Sequence, residues 1–290
     1  MTSFLTPAIE PDGCVPYRAL RRWQKVDMDL LGMREGHSVL DVGCGEGYLL
    51  RKAARRASLA LGVDLDDSRL RASRDGLSDS CRSGQSPVEL AVADGQRLPF
   101  ADASFDRIIC TETLEHVADA QLALRELARV LRPGGHLAVS VPHLLCEAIL
   151  YRLIRGHLEF PGGHRRVFTP RTLARALARA GLQPYAGYLR DSLEATYWIL
   201  LSLLSRPPRR FDGVLAALER WRARTRAEPY SRFYHAADQL GNRLLPKSAV
   251  VYALKPACGT GGQEAPATPS ALPRPPTPPS GAASPPGCPP

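Results

Sequence analysis

The sequence predicts a doubly wound α/β fold, with a mostly parallel sheet of seven strands and a helical insertion before the last strand. Short apolar, β-rich segments alternate with segments of helical spacing from Ser38 onward, which is typical of a parallel sheet covered by helices on both faces. The first of these strands runs into a turn with three glycines and then into a helix. In folds of this class such turns lie at the edge of the sheet where ligands bind.

The predicted elements follow one another in regular order. The first five strands are Ser38–Gly43, Leu59–Leu65, Val88–Gly95, Phe105–Glu112 and Gly135–Pro142. The clearest helices are Tyr48–Arg56, Asp67–Arg74, Asp119–Val130 and Pro170–Ala180. The segments LQPYAGYL and SAVVYALKP read as the last two strands, with an insertion of two helices over about residues 190–246 between them.

Composition divides the chain into three regions. Residues 1–35 are expected to form an N-terminal helical segment, and residues 36–256 the α/β domain. Residues 257–290 consist almost entirely of Pro, Gly, Ala, Ser and Thr, which cannot bury enough apolar surface to become ordered. We therefore expect a disordered Pro-rich tail.

Charge and cysteine content exclude several functional classes. The net charge of +9 comes mostly from scattered arginines without a long basic run, so no nucleic-acid partner is expected. The seven cysteines contain no Cys-x-x-Cys motif, which argues against a zinc site and against a disulfide framework. Because no secretory signal is visible either, a cytoplasmic location is predicted. The pattern does not determine the oligomeric state.

The glycine turn "VLDVGCGEGYLL" separates two kinds of ligand. Its glycines are Gly43, Gly45 and Gly47, whereas the dinucleotide fingerprint Gly-x-Gly-x-x-Gly would need its third glycine where Tyr48 stands. An acid, Asp41, precedes the first glycine by two residues. This pattern does not fit NAD and favours a nucleoside that carries a small charged tail.

Two further acids stand where neighbouring strands end. Asp64 follows the glycine turn by about twenty residues, a spacing at which a carboxylate can accept hydrogen bonds from both ribose hydroxyls. Asp94 is placed to accept from an exocyclic amino group such as that of adenine, and the amide of Gly95 can reach a ring nitrogen. An acid at a strand end is commonly a helix N-cap, but the order and spacing of this set are difficult to explain by caps.

These motifs carry a resemblance to a known family. The stretches "VLDVGCGEG", "GVDLD", "VADGQRLPFADASFDRIICTETLEHV" and "ELARVLRPGGHLAVSVP" resemble the class I S-adenosylmethionine-dependent methyltransferases of Rossmann-like fold, in particular the quinone-biosynthesis (type 11) group. The resemblance implies S-adenosyl-L-methionine as cofactor, and nothing in the sequence needs a metal. It also implies a set of cofactor-binding residues: Asp41, Gly43, Gly45, Gly47, Asp64, Asp94, Gly95 and Thr111.

The acceptor side is predicted from two segments. "TETLEHV" follows the fourth strand and offers His116 as the candidate general base, with Glu115 as a substrate contact. "GGHRRVFTP" adds His164 as a second catalytic candidate and Arg165 as a second substrate contact. His116 could instead pack over the cofactor or cap a helix, and Arg165 could anchor its loop to a carboxylate.

The insertion suggests what the acceptor is. Ala195–Leu204 is ten residues of mostly apolar character, shorter than the ~20 that span a bilayer, and an arginine cluster at 206, 209 and 210 follows it. A small-molecule acceptor that is apolar or lipid-like is predicted, with peripheral membrane contact through the insertion; a buried lid is the other explanation. The alternative functions are methylation of RNA or protein and a non-catalytic cofactor-binding subunit.

Overall fold

The computed structural model describes residues 26–81, 88–153, 164–204, 212–226 and 232–257. The chain divides into two units, residues 1–258 and 259–290. The second unit, which holds nearly all of the predicted Pro-rich tail, lies outside the described residues. Three other predicted features also lie there: residues 1–25, the first part of the "GGHRRVFTP" segment and the arginine cluster.

Seven strands form one sheet in the order β3-β2-β1-β4-β5-β7-β6. The strands are β1 (Ser38–Val42), β2 (Leu59–Asp64), β3 (Val88–Val92), β4 (Phe105–Thr111), β5 (Leu131–Pro142), β6 (Gln183–Arg190) and β7 (Ser248–Leu254). The first five are parallel to one another, and β7 runs antiparallel to both β5 and β6. The predicted doubly wound, mostly parallel α/β fold is confirmed.

Eight helices lie among the described residues. They are α1 (Tyr48–Ala54), α2 (Asp67–Cys81), α3 (Ala120–Val130), α4 (Leu144–Leu153), α5 (Pro170–Arg179), α6 (Ser192–Leu204), α7 (Asp212–Arg226) and α8 (Arg232–Gly241). The insertion between β6 and β7 therefore contains three helices where the sequence predicted two. Prolines at positions 207, 208 and 229 separate the three in the sequence, and proline interrupts helices because it lacks an N–H donor.

Alternate residues of the strands build a separate core on each face of the sheet. On one face Leu40 and Ile108 pack with Leu124 and Leu127 of α3 and with Leu173 of α5. On the other face the core is formed by Val39, Ile109 and Tyr252 of the strands with residues of α1 and of the segment that precedes β1. Because both faces are covered, strands β1, β4 and β7 are buried along nearly their whole length, as expected for the middle of such a sheet.

The described part of the predicted N-terminal helical segment, residues 26–35, is a series of turns and not a helix. Its apolar side chains Val26 and Leu31 are fully buried in the second core. Its backbone is tied to the sheet by Tyr252, whose hydroxyl accepts from the Asp27 N–H at 2.7 Å, and by Arg107, whose guanidinium donates twice to the Gly32 carbonyl. Turns replace a helix here because the backbone groups bind side chains of the sheet.

The apolar helix α6 packs against α4, α7 and α8 but leaves two of its leucines exposed. Ala195 is buried against Cys146 and Leu150 of α4, whereas Leu200 is 39% and Leu203 48% exposed. Across the described ranges no helix is both long enough and apolar enough to cross a bilayer.

We predict that Tyr252→Phe destabilises the domain. The Tyr252 hydroxyl lies in a buried pair with that of Tyr188 at 2.9 Å and also holds the Asp27 N–H, so its removal leaves buried polar groups without a partner. Such a loss costs about 1–3 kcal/mol. The free energy of unfolding from urea titrations measures it. Tyr151→Phe is the matched control, because Tyr151 is 50% exposed on α4. Equal stabilities of the two variants would contradict the role given to Tyr252.

Candidate functional site

The candidate site lies where the chain order of the sheet reverses, between β1 and β4. β1 pairs with β2 on one side and with β4 on the other, and all three strands run parallel. Their carboxyl ends therefore lie at one edge of the sheet, and in open α/β folds ligands bind in the crevice at such a switch point.

The three glycines of the turn after β1 all adopt the left-handed backbone conformation. Their φ angles are +72° at Gly43, +52° at Gly45 and +72° at Gly47. Gly47 is the N-cap of α1, so the first turn of this helix has no side-chain capping hydrogen bond. A β-carbon at Gly43 would collide with the side chain of Thr113, and one at Gly47 with the hydroxyl of Ser73. At Gly43 and Gly47 glycine is thus required both by the backbone conformation and by the close approach of a neighbouring side chain, and at Gly45 by the conformation alone.

Asp64, at the end of β2, forms a hydrogen bond with the backbone of the glycine turn. Its Oδ2 accepts from the Gly45 N–H at 2.9 Å, and its Oδ1 accepts from the Asp66 N–H at 3.0 Å. Because each carboxylate oxygen has two lone pairs, both oxygens can accept further hydrogen bonds from a ligand. The side chain is partly buried at the sheet edge, where the predicted ribose hydroxyls would lie.

Asp94 lies beyond β3 and is oriented by Gln96. Its Oδ1 accepts from the backbone and side-chain N–H groups of Gln96, whose own Oε1 accepts from the Asp119 N–H at the start of α3. Gly95 is buried, and a β-carbon there would lie 3.1 Å from Val42 at the end of β1. The Asp94–Gly95 turn therefore lies close to the end of β1.

The other two predicted cofactor residues lie on the central strands. Asp41 is 2% exposed and pairs in register with Gly62 of β2 and Ile109 of β4. Thr111 is the last residue of β4, and its carbonyl accepts from the Thr113 hydroxyl at 3.0 Å. All eight predicted cofactor residues thus belong to the ends of β1 to β4 or to the turns that follow them.

The predicted acceptor residues Glu115, His116 and His164 also come together. Their ligand-forming atoms all lie within 4.8 Å of one another. The imidazole rings of His116 and His164 are in edge contact, with centroids 5.0 Å apart, and His116 Nε2 lies 3.9 Å from Glu115 Oε1. Arg165 contributes its backbone, since its N–H donates to the Glu115 carbonyl at 2.8 Å, while its residue is exposed.

Two further acids belong to this cluster: Glu112, which lies in the "TETLEHV" segment predicted for the acceptor side, and Glu147, which was not predicted. Glu147 of α4 is buried and its Oε2 lies 2.7 Å from His164 Nδ1. Glu112 has a positive φ of 51°, and its Oε1 accepts from the Ser140 hydroxyl at 2.6 Å. The sequence signal that could have identified Glu147 is its position as an acid inside the apolar segment "HLLCEAILYRLI". A carboxylate that such a segment buries needs a partner.

Burial and like charges act together on Glu115. Its side chain has no exposed surface, and neither carboxylate oxygen has a hydrogen-bond donor within the described parts of the chain. Burial, and then the nearby Glu112 carboxylate, raise the pKa of Glu115 well above its ordinary value. The acceptor side of the site is thus a cluster of carboxylates and imidazoles beside the glycine turn.

The geometry fits a nucleoside with a small charged tail better than a dinucleotide. A β-carbon at Gly45 would meet no atom within 4 Å, which leaves open space at the turn, and two carboxylates near the ends of β2 and β3 provide acceptors for hydroxyl and amino groups. Thr113 connects the glycine turn with the imidazole cluster, because its side chain packs against Gly43 and it lies two residues before Glu115. A cofactor and an acceptor can therefore be held side by side.

Comparisons with known proteins find methyltransferases that are similar to the central part of the chain. The family described as "Methyltransferase domain" matches residues 40–139. The chain is 40% identical over 116 residues to methyltransferase GfsG of Streptomyces halstedii, covering 38% of this chain and 39% of that protein. It is 41% identical over 122 residues to the ubiquinone/menaquinone biosynthesis C-methyltransferase UbiE of Teredinibacter turnerae, covering 41% and 48%. The match thus spans less than half the length of these relatives.

A solved structure shows the fold over a longer stretch. The chain superposes on the [4+2]-cyclase SpnF with a TM-score of 0.54 and 23% identity, covering 80% of this chain and 78% of that one. A cyclase with this architecture illustrates that the fold does not determine the reaction. The family match covers most of β1 to β5 and includes the glycine turn, so residues 40–139 are similar to a methyltransferase domain.

Proposed function

We propose that this protein transfers a methyl group from S-adenosyl-L-methionine to a small, apolar acceptor. The observation that carries the proposal is the convergence of the glycine turn, Asp64 and Asp94 at one sheet edge beside the His116–His164 cluster. Relatives named as quinone-biosynthesis C-methyltransferases support a small-molecule acceptor. Placement in the cytoplasm, with contact to a membrane surface, is part of the same proposal.

On the cofactor side, each residue has one task. Asp64 accepts hydrogen bonds from the ribose hydroxyls, and Asp94 with the Gly95 amide holds the adenine. The methionine part lies against the glycine turn, and the Asp41 carboxylate attracts its ammonium group. The cofactor supplies a methyl group on a positively charged sulfur, so the protein mainly aligns the acceptor and excludes water.

On the acceptor side, an imidazole removes the acceptor's proton as a general base. His116 is 40% exposed, whereas His164 is 22% exposed and its Nδ1 contacts the Glu147 carboxylate. A carboxylate at Nδ1 fixes the ring orientation and favours an acceptor lone pair on Nε2. His116 is the candidate base, with His164 as the second. Glu115 and the segment around Arg165 shape the pocket.

We predict that Asp64→Ala weakens S-adenosyl-L-methionine binding about 5- to 150-fold. This range corresponds to the about 1–3 kcal/mol lost when buried polar partners lose their acceptor. Isothermal titration calorimetry measures the affinity. Asp102→Ala is the control, because the Asp102 side chain is 79% exposed and pairs with Arg129 away from the predicted site. Equal affinities of the two variants would mean that the ribose binds elsewhere.

We predict that the labelled methyl group of S-adenosyl-L-methionine passes into the small-molecule or lipid fraction of a cell extract, and that His116→Gln slows the transfer about 10²- to 10⁴-fold. Glutamine keeps the polarity but cannot take up the proton. His235→Gln on α8 is the control. Label found only in RNA or protein would overturn the small-molecule proposal, and a full rate in His116→Gln would remove His116 as the base.

The lipid-like character of the acceptor rests on α6, and we predict that Leu200→Ser/Leu203→Ser reduces co-sedimentation with anionic vesicles. Both leucines are exposed, so the melting temperature should stay within about 2 °C of the unsubstituted protein. Trp198 is unsuitable for this test, because it packs against Cys146 and Leu150 and its indole donates to Glu194. Leu122→Ser on α3, also 39% exposed, is the matched control. Co-sedimentation that does not change in the double variant would overturn the membrane contact.

A further inference from the structure

We propose that Glu115, His116 and His164 bind a divalent transition-metal ion at the acceptor side of the site. Each offers one ligand atom, and these atoms lie within 4.8 Å of one another. In a tetrahedral site with bonds of about 2.0–2.2 Å, neighbouring ligand atoms are roughly 3.4 Å apart. Small side-chain rotations about a common centre would therefore complete the coordination.

The strongest indication of a cation is the state of Glu115. The carboxylate is fully buried, and no donor among the described residues hydrogen-bonds to either oxygen. Its backbone is fixed, because its carbonyl accepts from the Arg165 N–H at 2.8 Å and the His116 N–H donates to the Thr113 carbonyl at 3.0 Å. A buried carboxylate is costly unless it is paired or coordinates a metal. One oxygen already lies 3.9 Å from His116 Nε2.

Glu147 provides the support that metal-binding histidines usually have. Its Oε2 lies 2.7 Å from His164 Nδ1, and the side chain is nearly inaccessible to solvent. When Nδ1–H donates to this carboxylate, Nε2 carries the lone pair that binds a metal. Carboxylate–histidine–metal arrangements of this kind fix the tautomer and make the imidazole a better ligand.

The surrounding charge also favours a cation. The carboxylates of Glu112 and Glu147 both act electrostatically on Glu115, and Lys247 is the cation that opposes them in the described structure. Two imidazoles and one carboxylate favour borderline metals such as zinc, cobalt, nickel or iron(II) over magnesium and calcium, which prefer oxygen ligands.

The role of the ion follows from its coordination and rests on the proposed function. Three protein ligands leave at least one position open, and the 40% exposure of His116 gives solvent and an acceptor access to the site. An oxygen of the acceptor can occupy the open position, where the ion orients it and promotes loss of its proton to solvent. The imidazoles would then act on the acceptor through the metal and not by direct proton transfer.

The experiment is a cobalt(II) titration of the full chain after treatment with chelator, followed by visible absorption. We expect one equivalent to bind, with d–d bands and without a thiolate charge-transfer band, since no cysteine belongs to the three-ligand set. Glu115→Gln and His164→Gln should each weaken binding more than about 100-fold. Glu147→Gln should weaken it about 10- to 100-fold, because the carboxylate that orients the His164 imidazole is lost. His235→Asn, a histidine outside the cluster, should change nothing.

The outcomes separate this inference from the proposed function. S-adenosyl-L-methionine affinity is measured on every variant, and retained affinity shows that the variant is folded. Failure of the unsubstituted chain to bind cobalt, a thiolate band, or unchanged binding in Glu115→Gln and His164→Gln would overturn the metal site and leave the cofactor proposal standing. Cobalt binding without any affinity for S-adenosyl-L-methionine would overturn the proposed function instead.

Discussion

The close approach of Gly43 to Thr113 is the contact on which the site depends. Gly43 can adopt a φ of +72° and leave no β-carbon in the space that the Thr113 side chain fills. The Thr113 hydroxyl lies within hydrogen-bonding distance of the carbonyl oxygens of Val42 and Thr111, at the ends of β1 and β4. One small side chain thus joins the two strands between which the chain order of the sheet reverses.

This contact also sets the distance between the two halves of the site. The glycine turn and Asp64 lie on one side of Thr113, and Glu115 and His116 follow it directly on the other. A β-carbon at position 43 would collide with the Thr113 side chain, so Thr113 or the turn would have to shift. Alignment of a donor with an acceptor is sensitive to displacements of this size.

The acceptor side concentrates charge where the fold otherwise buries apolar groups. Glu115 and Glu147 are both inaccessible to solvent, and each reaches an imidazole of the His116–His164 pair. Desolvated carboxylates reduce the free energy of unfolding unless they are compensated. Their presence in one cluster is therefore easier to explain by function than by stability. Such clusters of perturbed titratable groups are typical of functional sites.

The sequence by itself determined the fold class, the glycine turn and the three acids at the strand ends, because these depend on local chemistry. Apolar periodicity predicts strands and helices, and glycine spacing predicts a backbone that side chains would block. Tertiary structure decided the rest. Glu147 meets His164 from a helix seventeen residues away, and residues 26–35 form turns because Tyr252 and Arg107 bind their backbone groups. Contacts between distant segments depend on how the helices pack on the sheet, and local sequence patterns carry no information about that packing.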